Sequence, residues 1–138
     1  MTPQLDSKLA EKYPKIFGKL GYTECSDGWY DIIDVLCWQI QNHVDHKIRN
    51  SQMTEEEKQN LQVVAVQVKS KFGGLRFYVY GGDETINGMI HMAEAMSYRV
   101  CEYCSNKARQ QNNGGWIHTA CSSCFDNRIQ RKKTYEEG

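Results

Sequence analysis

Leu5, Leu9, Tyr13, Ile16, Phe17 and Leu20 recur at roughly helical spacing and predict a first helix over residues 4–19. Pro14 falls inside that stripe, where it lacks a backbone N–H and clashes with the preceding turn, so two short pieces are expected. Gly18 and Gly21 then let the chain turn. Ser26-Asp27-Gly28-Trp29 has the composition of a helix start, with Ser26 or Asp27 as N-cap. Ile32, Leu36, Ile40, Val44 and Ile48 follow at every fourth position, widened by Ile33 and Cys37, and predict an amphipathic helix running to about Arg49. Residues 50–60 are polar, and Thr54 followed by Glu57 has the spacing of a capping box.

The period then changes to two. Val64, Val66 and Val68 are expected on one face of a strand over Val63–Lys69. In Leu75–Tyr80, Leu75, Phe77 and Val79 share a face, with Arg76, Tyr78 and Tyr80 opposite. Lys71-Phe72-Gly73-Gly74 joins the two runs, so they form a β-hairpin. Past Gly81-Gly82, Asp83 or Thr85 caps a helix whose expected apolar face is Ile86, Met89, Ile90, Ala93, Met96, Ser97 and Val100. An isolated hairpin is marginal in water and needs helices on its apolar face. The expected fold class is therefore α+β: helices packed on a β-hairpin or small antiparallel sheet over residues 1–100. Residues 101–138 form a four-cysteine module, of zinc-ribbon or treble-clef type, packed on that core and ending in a basic helix.

Composition narrows the function classes. The 138 residues carry 17 Lys+Arg against 17 Asp+Glu, with 40% hydrophobic and 11% aromatic residues. That supports one modest core and argues against a polybasic nucleic-acid coat, whose affinity rests on phosphate neutralisation. No apolar run approaches the roughly 20 residues of a membrane span, and the N-terminus lacks a signal-peptide core, so a cytoplasmic chain in a reducing compartment is expected.

In such a compartment paired CxxC motifs usually hold metal. Cys101-x-x-Cys104 and Cys121-x-x-Cys124, with residues 105–120 between them, fit a structural Zn²⁺ site of four thiolates. Gly114-Gly115 supplies the ribbon turn, and a helix from Cys121 to Lys133 would carry the second pair. Catalytic zinc keeps an open position, so a filled four-sulfur shell points away from an enzyme. His118 is expected at the ribbon surface, or as an alternative ligand. Cys37 reads as a core residue and Cys25 shows no sign of a reactive nucleophile. His43 and His46 share one turn with no third ligand in sight and are expected to be solvated.

Two surfaces are candidates for partners. Residues 20–57 hold Glu24, Asp27, Asp31, Asp34, Asp45, Glu55, Glu56 and Glu57 against Lys47 and Arg49, an acidic stretch suited to a basic protein surface. Lys69, Lys71, Arg76, Phe72, Tyr78 and Tyr80 crowd the hairpin, either as a nucleic-acid platform or as aromatics packed under a helix beside solvated lysines. Arg128, Arg131, Lys132 and Lys133 are basic, as a helix dipole favours near a C-terminus. The residues singled out for partner contact are Asp27, Asp31, Asp34, Lys71, Arg76, Tyr78, Arg128 and Lys132.

Asp27-Gly28-Trp29, the block from Val66 through Lys71-Phe72-Gly73-Gly74-Leu75-Arg76-Phe77-Tyr78, and Trp116-Ile-His-Thr119 before the second CxxC make a distinctive set. Together they resemble a group of small uncharacterised proteins encoded in bacteriophages, prophages and bacterial genomes. The resemblance implies a phage-type accessory protein with a zinc module, working in the bacterial host cytoplasm. It assigns no activity to any residue. The function expected is a non-enzymatic interaction protein that binds and inhibits or redirects a host protein, such as a nucleic-acid-binding immunity effector; an anti-CRISPR or other anti-defence factor is the natural subclass. The alternative is a nucleic-acid-binding or transcription-modulating zinc protein.

Overall fold

Pro14 divides the first apolar stripe as expected. In the computed structural model, which describes residues 1–128, α1 (Pro3–Lys12) and α2 (Pro14–Phe17) meet at Tyr13, whose φ of −129° leaves the helical region. The fold is α+β, with helices packed around two separate antiparallel hairpins.

The third helix begins differently from the expectation. Asp27–Trp29 is a 3₁₀ turn leading into α3 (Tyr30–Asn50), and neither Ser26 nor Asp27 caps it with a side chain. The Asp27 carboxylate instead accepts the Thr2 N–H at 2.7 Å, and the Gly28 N–H is taken by the Glu102 carbonyl at 2.7 Å. The turn is thus shaped by tertiary contacts rather than by local capping. Downstream, α3 buries Ile33, Leu36, Cys37, Ile40 and Val44 of the expected stripe, while Ile32 and Ile48 at its ends are half-buried. The capping box forms at the start of α4 (Glu55–Leu61), with the Glu57 N–H donating to Thr54 Oγ1 at 3.1 Å and the Thr54 N–H to Glu57 Oε1 at 3.2 Å.

β1 (Val64–Lys71) and β2 (Gly74–Tyr80) pair antiparallel. Their two-residue turn puts both Phe72 (φ 51°) and Gly73 (φ 81°) in the left-handed region, the signature of a type I′ turn. The expected inward row of Val64, Val66 and Val68 is wrong. A bulge between Ala65 and Gln67 resets the alternation, so Ala65 and Val68 are buried while Val66 is 44% exposed. β2 keeps its phase, with Leu75 and Phe77 inward.

α5 (Glu84–Ser97) is capped by Asp83, whose Oδ1 accepts the Ile86 N–H at 3.0 Å. It packs on β2 and against α3, burying Ile86, Ile90, Ala93 and Ser97, while α2 covers β1. Met96, expected on that inward face, is exposed, because α3 crosses only part of the α5 stripe. Phe17 meets Phe77 edge to face at 6.3 Å in the middle of the core. Both edges of the hairpin are covered in their middle. Glu24 exchanges backbone hydrogen bonds with Val68 and Ser70 of β1, and on β2 the Leu75 and Phe77 N–H groups donate to Ser97 Oγ and Glu94 Oε2, each at 2.9 Å.

The second hairpin is β3 (Arg109–Asn113) and β4 (Trp116–Ala120), closed at Gly114-Gly115. Residues 122–128 are helical. The rest of the expected basic helix, with Ile129, Arg131, Lys132 and Lys133, lies outside the described residues.

Candidate metal centre

α5 hands the chain to Cys101 through Val100. A tight knuckle follows, in which the Cys101 N–H donates to the Asn106 carbonyl at 2.7 Å and the Ser105 N–H returns to the Cys101 carbonyl at 3.1 Å. β4 delivers Cys121, and the helical turn after it brings Cys124 round, fixed by the Phe125 N–H on the Cys121 carbonyl at 2.9 Å. The four sulfurs lie within 4.8 Å of one another, with Cys104 and Cys121 Sγ 3.6 Å apart. A tetrahedral ion with metal–sulfur bonds of about 2.3 Å places its sulfurs about 3.8 Å apart, so the quartet is already at ligand spacing. Cys101 is buried, Cys121 and Cys124 are half-buried, and Cys104 is exposed. The Cys124 N–H, together with neighbouring thiols, holds Cys121 down at about 7. Burial, then the adjacent Cys121, pushes Cys124 up to about 12. Such a quartet can hold a metal ion, and four sulfurs complete a tetrahedral shell.

The centre is seated on the two motifs that looked most distinctive in sequence. Trp29 is buried and its indole N–H donates to the Val100 carbonyl at 2.9 Å, while Ser105 Oγ donates to the Gly28 carbonyl at 2.8 Å. A Cβ on Gly28 would lie 2.2 Å from the Cys101 carbonyl oxygen, so this position admits no side chain. On the other hairpin, Thr119 Oγ1 donates to the Gly73 carbonyl at 2.5 Å and Gln110 Nε2 to the Phe72 carbonyl at 2.8 Å. Gly73 meets the His118 Cα at 3.1 Å from where its Cβ would be. The buried Glu102 carboxylate joins the parts, accepting the Ser26 N–H at 3.0 Å and the Ser70 hydroxyl at 2.9 Å. These glycines therefore serve docking of the cysteine module onto the core.

His118 is neither a surface side chain nor a ligand. It is 2% exposed, stacked on Trp116 at 4.1 Å and tilted against Phe125 at 5.1 Å, with Nδ1 2.9 Å from the Tyr103 hydroxyl. Burial, then the Arg128 charge, pushes its pKa down, which favours the neutral ring. Arg128 lies 3.5 Å over the Tyr103 ring. Aromatic residues from the knuckle, β4 and the following helix converge on His118 only in three dimensions, which is why it is buried rather than at the surface.

The acidic residues are partly engaged. Asp27 is bound to Thr2, and Asp34 accepts Lys12 Nζ at 2.7 Å and the Tyr13 hydroxyl at 2.6 Å, leaving Asp31 exposed. His46 contacts Asn50 on the same helix, and His43, expected to be solvated, is half-buried with Nε2 2.8 Å from Asp83 Oδ2. Cys37 is buried in the core, and burial followed by the Glu102 charge pushes the Cys25 thiol up to about 12, far from a nucleophile. On the hairpin, Tyr78 is exposed and Arg76 donates to the Tyr98 hydroxyl at 3.1 Å. Lys71 is exposed too, its ammonium 6.0 Å from the Phe72 ring centroid.

One surface escaped the sequence reading. α3 and α5 leave between them an open groove of about 590 Å³, floored by Leu36 and Ala93 and walled by Ile32, Val35, Met89 and Met92, with Asp31 at its rim. Val35, an exposed apolar position off the core stripe of α3, was its available signal. No family model, curated protein or solved structure matches the chain.

Proposed function

We propose that this chain is a zinc-stabilised, non-enzymatic interaction protein of phage type, which docks a host protein in the groove between α3 and α5 and inhibits or redirects it. The groove carries this reading. Val35, Met92 and Met96 are all exposed around it, and contiguous apolar surface of this kind marks a binding site more often than a free face. Methionine walls adapt to varied apolar side chains, and the open trough between two antiparallel helices suits an amphipathic helix with a cation opposite Asp31. Gly88 adds support: it sits in α5 at the groove, where glycine weakens a helix, yet no atom beyond its own turn comes within 4 Å of its Cβ position. Zinc is the ion assigned to the cysteine quartet, and an anti-defence role follows from the phage-type resemblance.

The test is affinity capture from host lysate with the wild type and Met92→Glu in parallel, followed by assay of the captured protein with and without stoichiometric bait. One dominant partner, reduced at least about tenfold by the charge in the groove and altered in activity by the bait, is expected. Equal capture by both baits would remove the groove from the function. A wild-type dimer in solution that Met92→Glu converts to monomer would mean that a second copy fills the groove, and the host-protein reading fails.

A further inference from the structure

The solvent face of the first hairpin has a chemistry unlike that of the groove. Phe72 and Tyr80 are 66% and 73% exposed, and Tyr78 is 42% exposed, so these aromatics do not pack under a helix. Tyr78 and Tyr80 are two residues apart on β2 and on the same side of it, a backbone repeat of about 6.8 Å. That is roughly twice the 3.4 Å rise of stacked bases, the separation of bases splayed from an extended strand. Cross-strand from Arg76 on this face stands Lys69, and Lys71 leads into the turn. Residues 61–82 contain these three cations and no Asp or Glu. The carboxylate that flanks the face, Glu24, accepts Gln67 Nε2 at 3.2 Å. Glu94 and Glu102 are taken by the Phe77 N–H and the Ser70 hydroxyl.

Two further features select among partners. Glu24 on one side and Ser97 with Glu94 on the other block the middle of both strand edges, so a protein cannot readily add a strand here and only the face is open. Phe72 also holds a left-handed φ of 51°, a conformation costly for a bulky residue, and uses it to present an exposed ring at the hairpin tip. We infer that this face binds single-stranded nucleic acid, with bases stacked on Tyr78, Tyr80 and Phe72 and phosphates on Lys69, Lys71 and Arg76. It is separate from the groove and does not depend on the protein-docking proposal.

Fluorescence anisotropy of the zinc-loaded full chain, with labelled oligothymidylate and oligouridylate of about 12 nucleotides and a matching duplex, tests this. Either single strand should bind more tightly than the duplex. Tyr78→Ala and Tyr80→Ala should each weaken binding about tenfold, and Tyr78→Phe and Tyr80→Phe should retain it, since stacking needs the ring. Lys69→Ala with Lys71→Ala should flatten the log–log salt slope by about 1.4, at about 0.7 per phosphate contact. Metal content and melting of each variant establish that the fold is kept; should an alanine variant lose its fold, the lysine pair and the phenylalanine variants still decide the matter. Failure of every strand to bind at low salt would overturn the proposal, as would preference for duplex. Binding abolished by Lys132→Glu with Lys133→Glu but indifferent to the tyrosines would equally overturn it.

Discussion

Gly28 and Gly88 both sit in or beside helices, and a methyl group added at each has opposite consequences. At Gly28 it would meet the Cys101 carbonyl oxygen at 2.2 Å and the Glu102 backbone at 2.5 Å, neither of which can rotate away. Gly28→Ala should cost about 3 kcal/mol and, in the zinc-loaded protein, speed metal release. Thermal melting together with the rate of metal loss to a chelator reads both, and a wild-type melting curve would mean that the close approach carries no weight. At Gly88 the space is open, so Gly88→Ala should stabilise the isolated protein by about 1 kcal/mol, the helix-propensity difference. A lower melting temperature there would show a contact that the open space denies. Neither sign is legible locally, because a glycine's neighbours are set by residues far along the chain. His118 is the same case: three positions before Cys121 its sequence context suggests exposure, and its burial depends on Tyr103, Trp116 and Phe125 converging.

Between elements, Asp83 joins α5 to α3. Its Oδ1 caps α5, while Oδ2 receives His43 Nε2 at 2.8 Å and Lys47 Nζ at 3.0 Å. Partial burial pushes its carboxyl up, but the hydrogen bonds from His43, the Ile86 N–H and Lys47 outweigh that and hold it at about 2. An unfolded aspartate titrates near about 4, so the stabilisation is complete above that pH and is lost as the pH falls toward 2. Asp83→Asn keeps a capping side chain and removes the charge. It should be less stable than wild type by on the order of 2 kcal/mol at neutral pH, with the gap closing between about pH 4 and pH 2 in urea titrations. Whatever acid does to the cysteine centre is common to both proteins and cancels in the comparison; a gap that persists at the lowest pH would refute the electrostatic account. Elements governed by local rules were legible in advance: the break at Pro14, the capping box at Thr54, the centre of the α3 stripe and the two strands of the first hairpin. The bulge at Ala65–Gln67 was not, since nothing in a run of alternating valines marks where an extra residue is accommodated. The cysteine quartet was legible because paired CxxC spacing is itself a geometric statement, while the α3–α5 groove required knowing how far one helix covers the other.

For the whole molecule, the cysteine centre and the core share one set of contacts. The knuckle lies on Gly28 and Trp29, and β4 lies on Gly73. The purified protein should carry about one zinc per chain; less than about half, recovered without chelators, would sink the four-thiolate assignment. Cys101→Ser should lose the metal and unfold residues 101–128, with hydrogen exchange also rising around Gly28 and Gly73, while α3 and α5 keep their protection. Uniform loss of protection would show instead that the core cannot stand without the module. The partners in these contacts are far apart in the chain: Trp29 finds Val100, and Gly73 finds Thr119. During synthesis the indole of Trp29 and the glycine turn of the first hairpin therefore leave the ribosome well before the segment that covers them. Until the segment through the last cysteine emerges and folds, the nascent chain carries an unmet docking face, and on the zinc assignment proposed above the supply of metal sets how long that interval lasts.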